Sequence, residues 1–228
     1  MSAFQRCVEL GYSYLETDVH ATVDGVLLAF HDARLDRITD RTGRVARLPY
    51  REVAQARIGG VEPIPRLEEL LGSWPQVRVN VDVKAATALA PLVRVLQRTR
   101  AHDRVCIASF SDARLATART LLGPAVCTSL GPRGVAALRM ASYSARAGTR
   151  IRLPAPCVQV PITVAGRPLC DERLITAAHA RGMQVHVWTV DTRAEIEAVL
   201  ALGVDGVMTD RPEVLREVLV RRGQWTGR

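Results

Sequence analysis

Two pairs of ionisable residues at i, i+2 spacing stand out in this 228-residue sequence: Glu16 with Asp18, and Asp82 with Lys84. Each pair lies in a short run of β-branched and apolar residues, SYLETDV and RVNVDVK. Alternate residues of a strand project to one face, so each pair points one way. Three carboxylates facing a common cavity repel one another unless a cation sits among them, and a hard, oxygen-seeking ion such as Mg²⁺ or Ca²⁺ fills that role. The chemistry this suggests is metal-assisted hydrolysis. Arginine-paired carboxylates at exposed strand ends are the alternative for either pair alone; the two pairs together favour the metal. Lys84 is the sole lysine among 31 basic residues. Its compact ammonium differs from the planar arginine fork used elsewhere in the chain, which suggests a site requiring a point charge.

A histidine extends the set. After Asp18 the chain reads VHATVDGVLLAFHD, with Asp24-Gly25 as a hairpin-turn signal. A two-residue turn centred on that pair places His31 opposite Asp18, where an imidazole serves as general acid or base near neutral pH. His20 is assigned to the side away from Glu16 and Asp18. His186 and Trp188 share a face of a later strand, with Trp188 nearer its rim; packing and ligand contact both remain open for that indole. His102 and His179 read as helix-end or surface residues, and Asp210 as the cap of the last helix.

These residues need strands to present them. Strands are expected at 13–19, 78–84, 104–110, 125–130, 157–162, 184–190 and 204–209. Helices are expected at 2–10, 86–101, 111–122, 132–146, 171–182, 192–202 and 212–221. Such alternation implies β-α-β units and a parallel sheet. Ser111-Asp112 and Asp171 are helix-start signals, Gly182 and Gly203 stop signals, and Pro212 a first-turn residue. The fold class is α/β, a TIM-type (β/α)8 barrel, whose sites gather at the C-terminal ends of the strands. The chain opens in what should be the first helix, so the barrel is expected to lack its first strand. One domain spans 1–228. Residues 33–77, rich in Arg, Asp, Gly and Pro with a short helix near 66–72, form a small insertion of the kind that caps a site.

Composition narrows the class. A hydrophobic fraction of 48% suits a compact core. No apolar run approaches the ~18 residues of a membrane span, and no secretory leader is visible. Five cysteines without a Cys-x-x-Cys pair suit core thiols and a reducing cytoplasm. The net charge of +8 is spread along the chain with no basic–aromatic block, arguing against a nucleic-acid partner.

The sequence resembles the glycerophosphodiester phosphodiesterase family. The resemblance rests on FQRCVELGYSYLETDVHATVDGVLLAFHD, LDRITDRTG, PIPRLEELL, VNVDVK, IASFS, VHVWTVD and GVDGVMTDRP, in the family's order from about residue 4 to 217. It implies that Glu16, Asp18 and Asp82 are ligands of a divalent metal (Mg²⁺ or Ca²⁺), Asp82 standing where glutamate is common. It further implies that His31 is one of two catalytic histidines, that Lys84 contacts the substrate phosphate, and that Trp188 lies near the glycerol. Region 33–77 becomes the family's insertion over the barrel mouth. The family's first strand carries a His-Arg-Gly motif with the other catalytic histidine, and nothing here fills it; an upstream segment is expected to supply it. The implied reaction hydrolyses a glycerophosphodiester, as in lipid and glycerol metabolism, to glycerol 3-phosphate and an alcohol. Rival readings are an impaired barrel that binds metal or a phosphorylated ligand without turnover, and a lysophospholipase-D-like enzyme acting on lysolipids. Head group, choice of metal and oligomeric state are left open.

Overall fold

The computed structural model describes residues 1–143 and 153–227, and the chain divides into two compact units, Met1–Cys127 and Thr128–Arg228. In the first, helix α1 (Ser2–Glu9) precedes strand β1 (Tyr14–Ala21), which forms a hairpin with β2 (Leu27–Ala29). Strand β5 (Arg78–Val83) lies parallel to β1, and β6 (Val105–Ala108) parallel to β5; the sheet order is β2-β1-β5-β6-β7, with β7 at Cys127–Thr128. Helices α3 (Leu67–Ser73), α4 (Leu89–Thr99) and α5 (Asp112–Leu122) accompany these strands.

The alternation read from the sequence explains why this sheet has a greasy side and a charged side. Leu15 and Val19 of β1 and Val79, Val81 and Val83 of β5 are buried in one apolar cluster with Leu70, Leu71, Leu92 and Leu96 from the helices. Residues of the other parity are then left for the opposite side. Ser111 caps α5 by accepting from the Arg114 N–H, as expected from the sequence.

Region 33–77 carries more structure than its composition suggests. It holds the short helix α2 (Tyr50–Val53), the two-residue strands β3 (Arg57–Ile58) and β4 (Glu62–Pro63), and α3. Leu35, Val45, Val53, Ala56 and Ile64 pack with Leu28 and Phe30 into a second buried cluster. That cluster anchors the chain on both sides of His31.

In the second unit, β8 (Cys157–Pro161) is followed by the two-residue antiparallel strands β9 (Thr163–Val164) and β10 (Arg167–Pro168), and β8, β11 (Gln184–Trp188) and β12 (Gly206–Val207) form a parallel sheet of order β12-β11-β8. Its helices are Pro132–Ala141, Glu172–His179, Arg193–Ala201 and Pro212–Arg221. The last three residues of the helix expected at 132–146 fall outside the described residues. Asp171 caps its helix as anticipated, accepting from the Leu174 N–H. Asp210 does not cap the last helix, whose N-cap residue is Arg211. The chain there is held by Asp191, which accepts from the Thr209 hydroxyl at 2.9 Å and the Asp210 N–H at 2.8 Å.

The β1–β2 hairpin corrects one expectation. The observed pairs are Val19 with Ala29, His20 with Leu28 and Ala21 with Leu27, one residue out of step with a two-residue Asp24-Gly25 turn. The connection is a three-residue loop, Val23-Asp24-Gly25: the Gly25 N–H donates to the Thr22 carbonyl, and Gly25 has φ +79°. This is a tight turn followed by a left-handed residue, a common alternative to the two-residue hairpin. Asp18 therefore does not face His31; Phe30 donates its N–H to the Asp18 carbonyl at 2.9 Å, and His31 lies just beyond the ladder. Because Gly25 needs a left-handed backbone, Gly25→Ala should lower stability in urea unfolding by about 1–3 kcal/mol. An unchanged midpoint would contradict the role given to the loop.

Candidate active site

Glu16, Asp18 and His20 alternate along β1, while Asp82 and Lys84 stand at the C-terminal end of β5. In the parallel register Asp18 is paired with Asp82 and Glu16 with Asn80, so the two aspartates leave neighbouring strands side by side. Between them lies the ammonium of Lys84, with Nζ 2.7 Å from Asp18 Oδ1 and 2.8 Å from Asp82 Oδ2. The Asp82 side chain is only 9% exposed. Burial works against the Lys84 charge, but the hydrogen bonds to Asp18 and Asp82 and their negative charges outweigh it and raise its pKa above the ordinary lysine value. Lys84 is thus an ammonium at neutral pH.

The β5 end is itself fixed. Ser109 donates to the Val83 carbonyl at 2.8 Å, and Arg114 donates through Nε to Ser109 at 2.9 Å and through its terminal nitrogen to the Lys84 carbonyl. The Lys84 Nζ also lies 5.5 Å from the centroid of the Phe110 ring, a cation–π distance. Neither Arg114 nor Phe110 was singled out from the sequence; IASFS was legible only as a family motif.

One atom of this cluster remains unsatisfied. Asp82 Oδ1 is buried and has no hydrogen-bond partner among the described residues. Buried carboxylate oxygens are rarely left so, because removing them from water is costly without compensation. Formal charge points the same way: two aspartates and one ammonium leave a single negative charge, and the exposed Glu16, on the same strand face as Asp18, adds another. An all-oxygen donor set with excess negative charge and an unused buried oxygen fits a hard divalent cation.

His31 stands at the rim, its side chain 63% exposed. Its Nδ1 lies 2.7 Å from Asp32 Oδ1, and Arg37 clamps the same carboxylate with Nε 2.6 Å from Oδ2 and a terminal nitrogen 2.9 Å from Oδ1. The Arg37 hydrogen bonds, then that of His31, hold the Asp32 carboxyl far below the usual carboxylate range. An ionised Asp32 only accepts, so Nδ1 carries the proton and Nε2 is the ring atom left for chemistry. The assignment of His20 to the opposite side is overturned. Residues 16, 18 and 20 share parity, and His20 lines the same cavity as His31 and Lys84. That cavity, about 620 Å³, is also bordered by Asp32, Arg34 and Arg37. Burial lowers the His20 pKa, so its ring is neutral at neutral pH.

Trp188 ends β11 in the second unit, opposite Pro161, and His186 sits two residues earlier, opposite Gly206. A Cβ at Gly206 would come within 2.9 Å of the His186 ring. His179 ends its helix and pairs with Asp205 at 2.8 Å. The structure therefore brings together Asp18, Asp82 and Lys84 by direct contact, and His20, His31 and Lys84 around one cavity.

A pair of aspartates bridged by a lysine, with a histidine at the rim and a parallel α/β scaffold beneath, is an arrangement suited to an anionic ester. The family model for the glycerophosphoryl diester phosphodiesterase family matches residues 1–214, and the chain belongs to that family. It is 43% identical over 229 residues to the Mycobacterium tuberculosis (strain ATCC 25618 / H37Rv) protein named "Probable glycerophosphodiester phosphodiesterase 2", covering 100% of this chain and 87% of that one. A crystal structure of a Silicibacter pomeroyi DSS-3 protein, described in the same family terms, superposes with a TM-score of 0.82 at 23% identity, covering 99% of this chain and 90% of that one. An Oleispira antarctica phosphodiesterase, solved in complex with the product sn-glycerol-3-phosphate, gives 0.78 at 21% identity, covering 96% and 89%. These likenesses give the chain the TIM-type (β/α)8 fold class expected from its sequence. No helix among the described residues is long and apolar enough to cross a membrane.

Arg37→Met tests the clamp. The lowered Asp32 pKa means that its contribution is present above the ordinary carboxylate value of 3.8 and is lost only as pH falls through the lower folded value. In the variant the Asp32 carboxyl ¹³C resonance should titrate at higher pH than in the parent. An identical titration would show that Arg37 does not hold Asp32.

Proposed function

We propose that this chain hydrolyses glycerophosphodiesters to glycerol 3-phosphate and an alcohol. Glu16, Asp18 and Asp82 would hold one divalent cation, Mg²⁺ or Ca²⁺. The observation that carries the reading is the Asp82 Oδ1 atom, buried and without a hydrogen-bond partner beside a lysine that already bridges two aspartates. When bound, the cation polarises phosphoryl oxygens and favours deprotonation of the nucleophile.

The chain's own groups do the rest. Lys84, pinned by Asp18, Asp82 and the Arg114 contact to its carbonyl, presents a fixed positive charge to the phosphate and offsets negative charge that grows as the phosphorus centre is attacked. His31 moves the proton through Nε2, since Asp32 occupies Nδ1. Asp32 and Arg37 hold the imidazole in that tautomer, which matters because a misoriented acid–base group loses most of its advantage. Trp188 is assigned to the glycerol end on the family resemblance alone. The match over residues 1–214 supports reading 1–228 as one barrel domain with 33–77 as its insertion, and the five cysteines, none in a disulfide among the described residues, suit a cytoplasmic location.

The test is release of glycerol 3-phosphate from glycerophosphocholine with and without added Mg²⁺ or Ca²⁺, with lysophosphatidylcholine as a second substrate. Activity should require a divalent ion and be abolished in Asp82→Ala. His31→Ala should lower kcat by ~10²–10⁴-fold, the usual value of an acid–base group. Metal-independent turnover, or an Asp82→Ala enzyme as active as the parent, would overturn the reading. Faster turnover of the lysolipid would reassign the natural substrate to lysolipids while leaving the metal site intact.

A further inference from the structure

We propose that His20 is a positioning residue for His31, holding the backbone of the acid–base histidine through its Nε2–H; the inference rests on the role given to His31 above.

The β1–β2 ladder ends at the bond from the Phe30 N–H to the Asp18 carbonyl. One residue on, the chain leaves the sheet, and the His31 carbonyl lies 3.2 Å from His20 Nε2. A carbonyl oxygen only accepts, so the proton of this bond sits on Nε2 of His20. His20 is itself anchored: it is 6% exposed and lies within the hairpin, paired with Leu28. A buried ring on a paired strand thus reaches past the end of the ladder and ties down the first residue that escapes it.

His31 is then gripped at two points by different groups. Its ring is fixed through Nδ1 by Asp32, which Arg37 clamps, and its main chain is fixed by His20. The first grip sets the tautomer and the ring's direction. The second sets where the Cα stands relative to Lys84, because His20, His31 and Lys84 border one cavity. With a side chain that is 63% exposed, His31 has little packing to locate it, so these polar contacts carry the task. Supporting hydrogen bonds of this kind decide whether a site is placed to within the tolerance that chemistry needs. A displacement of about 1 Å is enough to cost on the order of 10²-fold in rate.

The donor requirement selects the variants. Glutamine offers an N–H at a reach similar to that of imidazole Nε2, asparagine offers the same group one methylene shorter, and leucine offers none. His20→Gln should keep kcat for glycerophosphocholine within a few-fold of the parent. His20→Asn and His20→Leu should lower kcat by about 10–100-fold, with KM within about two-fold. Glutamine and asparagine are both polar amides, so their contrast does not hinge on burial of an apolar side chain, and equal thermal melts would set folding aside. The independent readout is the carbonyl ¹³C shift of His31, which should move upfield in His20→Asn and His20→Leu and return towards the parent value in His20→Gln. Equal kcat values across the three variants, or a His31 carbonyl shift indifferent to residue 20, would overturn the proposal. If His31→Ala left kcat unaltered, the assignment of His31 as the acid–base group would fail, whereas the carbonyl shift would still report whether His20 holds it.

Discussion

The site depends on the position of one ammonium between two carboxylates. Asp18 and Asp82 are brought side by side by the parallel register of β1 and β5, and two like charges in that arrangement repel by roughly 4 kcal/mol at 4 Å in an effective dielectric of about 20. Lys84 offsets this by bonding to both. The remainder of the first unit keeps that arrangement in place. The valines and leucines of opposite parity bury the other face of the same strands, so β1 and β5 cannot slip by one residue without turning carboxylates into the core. Ser109 and Arg114 then fix the last peptide of β5, from which the lysine springs.

The imidazole belongs to a second layer of support. Leu28 and Phe30 lock the hairpin strand into the small core of region 33–77, where Leu35, Val45, Val53, Ala56 and Ile64 surround them. His31 follows Phe30 directly and Leu35 comes four residues later, so the stretch 31–34, bearing His31, Asp32 and Arg34, runs between two buried anchors. Region 33–77 therefore holds His31 in place as much as it lines a cavity. Arg34, Arg37 and Lys84 are all engaged by aspartates, so the positive groups bordering the cavity arrive with partners and fixed directions.

Much of this arrangement is legible in the sequence. Period-two alternation located β1 and β5, the solitary lysine marked the centre of the charge cluster, and capping residues placed helix starts at Ser111 and Asp171. The hairpin register was missed by one residue because Asp24-Gly25 suits both a two-residue turn and a three-residue loop, and only the Gly25 N–H bond to Thr22 decides between them. His20 was assigned to the wrong side although the alternation that groups Glu16 with Asp18 groups it with them too; its partner, a backbone carbonyl eleven residues away, leaves no mark in sequence. The clamps from Arg37 and Arg114 were hidden for a related reason: in a chain whose positive charge is almost all arginine, composition gives no way to tell the two that hold the site from those that merely face solvent. Asp210 was read as a cap because it precedes Arg211-Pro212, yet the bond that orders this turn comes from Asp191, nineteen residues earlier.

Asp82 Oδ1, buried and without a hydrogen-bond partner among the described residues, is the atom on which the proposed metal site turns. A crystal structure of the protein soaked in Mn²⁺, with anomalous scattering measured at the manganese edge, tests it most directly. One strong anomalous peak is expected within coordination distance of Asp82 Oδ1 and shared with Asp18 and Glu16. A structure with no peak there, and with Asp82 Oδ1 hydrogen-bonded to water or protein, would contradict it.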